Sequence, residues 1–421
     1  LKNGARGLLV NVPGASVMGY ELNFRAGEYL VPREKWEVPH LMEHVVLGAN
    51  ERFKKSRLFQ AEFEKNGAYT NAHTSVVSVG YEAECADFEW DRILDMLLLG
   101  VSKPLFLREE FKAEYGNIRD ELLARSNNHF RTLAFSINEA QGLLSMTDRE
   151  RLRQMKNVLR VDLVEHYKKT HTAKNLRFVI GGNLRGREAQ IRSALEHVGL
   201  LSGNERFELP DERPINLERP VFVARASVKN VFFGLNTFAL KRFSDTDMDG
   251  LELVNTMLTA TLHSRILGEA RERGLVYSMD SGLDVSRSYT GWWFGAQVMV
   301  KNAPALFEII IRELKRVQAG DITAADLDAA KQYLLGRHQR SGQTVAGTMA
   351  GYSGRYFFDG VINDYDAIPQ RIMAVSVNRI KKVAQRMFAD KIGGLGMLSN
   401  NVKRRELAEQ LNDQTKQLWE L

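Results

Sequence analysis

Along the first 130 residues the apolar positions change their period several times, and each change marks an element. LLVNV and GYELNFRAG alternate and read as a pair of strands. From Trp36 to about Leu47 the spacing becomes helical, with Pro39 near the first turn, where a missing N–H costs least. Phe53–Lys65 is a second amphipathic helix, stopped by Asn66-Gly67. SVVSVGYEAE alternates strictly, with Val77, Val79, Tyr81 and Ala83 on one face, and predicts a half-buried strand. Phe88–Val101 and the Glu-rich Arg108–Arg125 return to helical spacing. This mixture predicts an α+β fold, with helices packed on a mostly antiparallel sheet.

The pattern also repeats. SRLFQAEFEKNGAYT from Ser56 aligns without gaps on SRILGEARERGLVYS from Ser264, an offset of 208 that sets Tyr69 opposite Tyr277 at the start of equivalent strands. A second echo pairs the helix–turn–strand pattern from Val161 with that from Val377. Two echoes at similar spacing predict two homologous halves. The polar stretch Ser202–Pro220, with three of the nine prolines, separates them. The predicted organisation is a first half over 1–205, a linker over 206–218 and a second half over 219–421.

Composition narrows the class. Of 421 residues, 44% are hydrophobic and 26% charged, as in a soluble globular protein of more than one core. The net charge of +6 is spread without a basic block interleaved with aromatics, so it reads as solvation and gives no expectation of a nucleic-acid partner. Cys85 is the single cysteine and ends an alternating apolar run, which predicts a buried, inert thiol. No apolar run approaches the ~20 residues of a membrane helix. The expectation is a soluble chain, cytoplasmic in preference; it starts at Leu1 without Met, so a removed leader leaves the compartment open.

The chemistry concentrates in VPHLMEHVV. His40, Glu43 and His44 form H-x-x-E-H, and on a helix positions i and i+4 share a face. Two imidazoles there reach one cation. Zinc suits two imidazole nitrogens and a carboxylate, with a position left for water, and Glu43 is placed to accept that water's proton. Apolar neighbours (Val38, Leu41, Met42, Val45, Val46 and Leu47) predict a largely buried helix, in which such a polar pair needs partners. A third ligand is expected on another helix. Within EEFKAEYGNIRDELLAR, Glu114 and Glu121 lie seven apart on one face, and Glu110 and Asp120 stay open as alternatives.

With these residues in view, the whole chain resembles the M16 (pitrilysin/insulysin-like) zinc metallopeptidases, in length the mitochondrial processing-peptidase branch and its bacterial relatives. The resemblance implies Glu121 as the third ligand and Glu114 as an assisting carboxylate. NGAYTNAHTS is similar to the family's G-G-x-x-N-A-x-T, which implies that Asn71, Ala72 and His73 lie on an edge strand that holds extended peptide; Asn66 stands where the family has its first glycine. SRILGEARERGLVYS is similar to a family segment whose Arg and Tyr reach the substrate at the metal. Tyr277 matches directly, Arg271 matches if one residue is missing before Gly274, and Arg273 is its rival. At the offset of 208, Met248, Leu251 and Glu252 stand where His40, Glu43 and His44 do, so the second half is expected to lack the metal.

The function implied is a zinc-dependent endopeptidase that cleaves unfolded peptides in an enclosed chamber. Glu43 acts as the base and Tyr277 donates to the oxyanion. A chain of this length implies a homodimer or a heterodimer with a related subunit. The competing classes are a non-catalytic assembly subunit and a peptide-binding protein.

Overall fold

The computed structural model describes residues 1–401 and 404–419. The elements of the first half are β1 (Arg6–Asn11), β2 (Val17–Phe24), α1 (Val38–Val46), α2 (Ser56–Glu64), β3 (Tyr69–Thr74), β4 (Val79–Ala86), α3 (Trp90–Ser102), α4 (Arg108–Arg125), α5 (His129–Ala140), α6 (Asp148–Gln154), α7 (Arg160–Thr170), β5 (Arg177–Gly182) and α8 (Glu188–Glu196). The second half holds β6 (Val221–Ala224), β7 (Val231–Ala239), α9 (Asp245–Thr259), α10 (Leu267–Glu272), β8 (Met279–Val285), β9 (Thr290–Val298), α11 (Ala303–Gln318), α12 (Ala324–Ser341), α13 (Val345–Asp359), α14 (Ile368–Ala374), α15 (Val377–Phe388), β10 (Ile392–Ser399) and α16 (Arg405–Lys416). Among the described residues no helix is long and apolar enough to cross a membrane.

The two sheets have one topology. Their strand orders are β1-β5-β2-β4-β3 and β6-β10-β7-β9-β8, with each strand of the first matched by one of the second. Only β1·β5 and β6·β10 are parallel; the other pairs are antiparallel. One expectation is corrected here. β1 and β2 do not pair, because β5 lies between them. The reason is burial: five of the six residues of β5 are buried, which suits a central strand, whereas β1 is largely open to solvent and suits an edge. Tyr69 begins β3, but Tyr277 lies two residues ahead of β8 rather than at its start.

The compact units do not follow the sequence halves throughout. One consists of 1–123, 149–210 and 340–365. The other consists of 124–148, 211–339 and the described residues from Asp366 onward. The main boundary, after Pro210, falls inside the predicted linker. Two segments are exchanged, however: α5 belongs with the second sheet and α13 with the first.

Glycines make room for both exchanged helices. In the first sheet Gly19 and Gly181 are direct partners on β2 and β5, and a Cβ on either would come within 2.7 Å or less of Met349 on α13. In the second, Gly234 and Gly396 are partners on β7 and β10, and a Cβ on Gly396 would lie 2.4 Å from Ile137 Cγ1 on α5. Gly19 to Gly234 and Gly181 to Gly396 are the same distance apart in sequence, so the two halves carry the same device at equivalent positions. Val10, Val179, Val345 and Met349 form the small core under α13; Leu133, Ile137, Val228, Phe232 and Leu398 form the one under α5. The larger cores occupy the opposite faces.

The core of the first unit also buries two histidines. His166 Nε2 lies 2.8 Å from the Ala26 carbonyl, to which it donates, and burial pushes the ring down to about 4. His171 stacks on Phe24, its Nε2 lies 2.8 Å from the Tyr81 hydroxyl, and burial holds it well below the ordinary imidazole range. Cys85 is buried and free, and burial pushes its thiol up to about 11, as expected of an inert side chain.

Two outcomes are expected. Gly396→Ala should destabilise by about 1–3 kcal/mol through overpacking against α5. Ile137→Ala should cost less in that background than alone, so a double-mutant cycle in urea that comes out additive would break the argument. Secondly, both buried histidines have folded-state values below the ordinary 6.5, so the unfolded chain takes up protons first on acidification. Their contribution is whole above about 6.5 and is lost as pH falls through that value towards 4. Urea midpoints should drop from pH 7 to 5, and less steeply for His166→Gln; parallel curves would contradict this.

Candidate metal centre

α1 forms where the sequence expects it. Pro39 lies in its first turn, and every one of its residues except His44 is buried, against α7, β3 and β4. That burial leaves one polar strip, carrying His40 and His44, turned towards α4. α4 spans the predicted Arg108–Arg125 end to end, and buries Ile118 and Leu122 on the side that also bears Glu114 and Glu121.

His40, His44 and Glu121 come together, each offering a ligand atom within 4.8 Å of the others. His40 Nε2 lies 3.4 Å and His44 Nε2 3.9 Å from the same oxygen, Glu121 Oε2. Ligands about 2.0–2.1 Å from a tetrahedral zinc lie about 3.3 Å apart, so the His40–Glu121 pair already stands at that spacing and the His44–Glu121 pair is wider by roughly half an ångström; two imidazoles and a carboxylate are a donor set that suits the ion. Both Nδ1 atoms are engaged elsewhere. His40 Nδ1 lies 3.0 Å from Glu37 Oε2, and His44 Nδ1 lies 3.0 Å from Glu114 Oε2. An ionised carboxylate only accepts, so each Nδ1–H donates, and in the neutral ring the lone pair is left on Nε2, facing the cluster.

The alternatives separate cleanly. Glu110 accepts from the backbone N–H groups of Ala49, at 3.0 and 3.1 Å, and of Ser56, at 3.2 Å. Asp120 faces solvent beside Arg119. Glu114 stands outside the cluster, accepts from Asn117 Nδ2 at 3.2 Å, and is held below the ordinary carboxylate range by its hydrogen bond from His44.

Glu43 is buried, next to His44 in the chain, and accepts from Thr74 Oγ1 at 2.7 Å. Thr74 closes β3, the outer strand of its sheet, in which Asn71, Ala72 and His73 pair with Glu82, Tyr81 and Gly80. Asn71 Nδ2 donates to Glu82 Oε1 at 2.9 Å. The far side of β3 is an open edge in the strand order.

Behind His40 lies a buried charge pair. Burial alone would raise the Glu37 carboxyl, but hydrogen bonds from His40 and Arg151 outweigh it and hold the group down at about 2. Burial alone would lower His40, but its hydrogen bonds to Glu121 and Glu37 pull the ring up to about 9. Burial pushes the carboxyl of nearby Glu28 up, with Arg151 opposing. Sequence reasoning missed Thr74, Glu37 and Arg151. Glu37 had a signal, three residues before His40 and immediately ahead of the same helix; Arg151 had none.

In the other unit, the Arg271 guanidinium stacks 4.7 Å from the Tyr277 ring centroid and donates to the Tyr277 carbonyl at 2.5 Å. Arg273 instead donates to Glu269 at 3.1 Å, so Arg271 is the arginine that accompanies the tyrosine. Tyr277 is 83% exposed and is not a core aromatic. Met248, Leu251 and Glu252 lie on α9, and among the described residues His40, His44 and Glu121 are the one metal-competent group.

Residues 13–144 match the family model described as insulinase (peptidase family M16), and residues 158–334 match the one described as peptidase M16 inactive domain. The second stretch excludes His40, Glu43, His44 and Glu121. No curated protein sequence is a significant match for the chain. Its fold is similar to that of a protease from Helicobacter pylori (TM-score 0.82, 17% identity, 95% of this chain and 98% of that one). It is also similar to a peptidase M16 inactive domain from Pseudomonas fluorescens (0.81, 16%, 95% and 97%) and to an M16-like peptidase from Alicyclobacillus acidocaldarius (0.78, 15%, 95% and 97%).

Proposed function

The chain belongs to the M16 peptidase family, and from that premise we propose that it is a zinc-dependent endopeptidase acting on unfolded peptides. The observation that carries the reading is the convergence of His40 Nε2, His44 Nε2 and Glu121 Oε2 beside a carboxylate, Glu43, that is bonded to the edge strand instead of joining the cluster. Bound at that cluster, zinc would supply Lewis acidity, acidifying water and polarising a carbonyl.

The chain's own residues do the rest. A peptide added to the open edge of β3 along Asn71–His73 is held by main-chain hydrogen bonds, which suits substrates with little side-chain preference. It runs past Thr74 and hence past Glu43. Glu43 takes a proton from the attacking water and returns it to the leaving amine nitrogen. Glu114 keeps His44 oriented. Tyr277, steadied by Arg271, donates to the carbonyl oxygen as it gains charge. The chamber is completed by a second chain, identical or related, which admits extended peptides and spares folded proteins. A peptide-binding or assembly subunit with no turnover is the competing reading. It is favoured if zinc binds and no extended peptide is cut.

The metal prediction is about one zinc per chain, lost in His40→Ala, His44→Ala and Glu121→Ala. Glu43→Gln should keep the metal while peptide turnover falls by roughly two to four decades. Loss of zinc in Glu43→Gln, or full affinity in Glu121→Ala, would refute the assignments. For the second unit, Tyr277→Phe should lower kcat by roughly two to three decades with zinc content unchanged. A near-normal kcat in folded, zinc-loaded Tyr277→Phe would remove Tyr277 from the reaction.

A further inference from the structure

The two ligand histidines are supported very differently. The His44–Glu114 pair has side chains 27% and 28% exposed, so water competes for both partners. On the His40 side, residue exposures are 5% for His40, 0% for Glu37 and 6% for Arg151. Glu37 is the residue ahead of α1, yet its side chain does not cap the helix. It turns one step along, so that Oε2 faces His40 Nδ1 at 3.0 Å and also accepts from Arg151 Nη2 at 3.1 Å, while Oε1 accepts from Arg151 Nε. Arg151 comes from α6, far away in sequence, and presents a planar fork that matches the carboxylate. An isolated carboxylate would be costly at this depth; paired with a guanidinium it stays ionised and acts as a fixed acceptor.

We propose that Glu37, locked by Arg151, is the positioning residue that sets the ring orientation and ligand tautomer of His40, and that this buried chain governs how tightly the centre holds its metal. The inference rests on the zinc reading above. It is more than a tie between α1 and α6, because one of the two Glu37 oxygens is shared with the ligand. With Nδ1 pinned, the only nitrogen of His40 that can turn to Glu121 is Nε2. Removing the support of a ligand histidine typically lowers metal affinity 10–100-fold.

The test compares wild type, Glu37→Gln, the paired Glu37→Leu/Arg151→Met variant and His40→Ala. The paired variant removes both charges together, so neither is left buried alone if Glu37→Gln folds poorly. Zinc affinity is measured by competition with a chromophoric chelator, and the His40 Nδ1–H signal is followed by NMR of zinc-loaded, 15N-histidine-labelled protein. The expected result is affinity roughly 10–100-fold weaker in folded Glu37→Gln and in the paired variant, with the His40 Nδ1–H no longer protected from exchange in the paired variant. A folded paired variant that binds zinc like wild type and keeps that signal overturns the inference and leaves the zinc reading intact. Wild type that binds zinc no more tightly than His40→Ala overturns the zinc reading and this inference with it.

Discussion

Everything at the candidate centre depends on the burial of α1, in which every residue but His44 is buried and the strip that carries His40 and His44 is turned towards α4. A free helix would turn two imidazoles in any direction. Here the apolar faces fix the rotation of the helix about its axis, so the i and i+4 positions must look at α4. The Ile118 and Leu122 contacts fix α4 in turn, and bring Glu121 to 3.4 Å from His40 Nε2. Core packing thus provides the preorganisation, and the carboxylates behind each ring refine it.

The same economy explains the location of Glu43. Glu43 stands outside the cluster, and its Oε2 accepts from Thr74 at the end of the edge strand. One residue type, a carboxylate, therefore fills three roles by position alone: Glu121 in the cluster, Glu37 and Glu114 behind the rings, and Glu43 between the cluster and the open edge of the sheet. In the duplicated half, Met248, Leu251 and Glu252 occupy the matching helix, and Leu251 is fully buried in the core of its unit. Without those side chains the helix is an ordinary packed element, while the sheet topology and the glycine pairs are common to both halves.

Much of this was legible in the sequence. Helical spacing found α1 and α4, and the repeat of patterns foretold two sheets of one topology. The spacing of Glu114 and Glu121 on one face left Glu110 and Asp120 open, because the deciding facts are backbone N–H groups at Ala49 and Ser56 that no periodicity reveals. Pairing β1 with β2 followed the tendency of consecutive strands to be neighbours; the unbroken burial of β5 was the contrary signal. The exchange of α5 and α13 was hidden because the room each helix uses comes from the absence of side chains, at Gly19, Gly181, Gly234 and Gly396, and a glycine in a strand reads locally only as weakness. Arg151 reaches Glu37 across more than a hundred residues, a contact that only the folded chain defines.

The central claim is that His40, His44 and Glu121 hold zinc and that Glu43 stands outside its ligand shell. Zinc-edge X-ray absorption on the loaded protein tests it most directly. The account predicts a first shell of two imidazoles with the remainder light oxygen donors, unchanged in Glu43→Gln and reduced by one imidazole in His44→Ala. A shell with fewer than two imidazoles in the native chain, or one that changes when Glu43 becomes Gln, would contradict it.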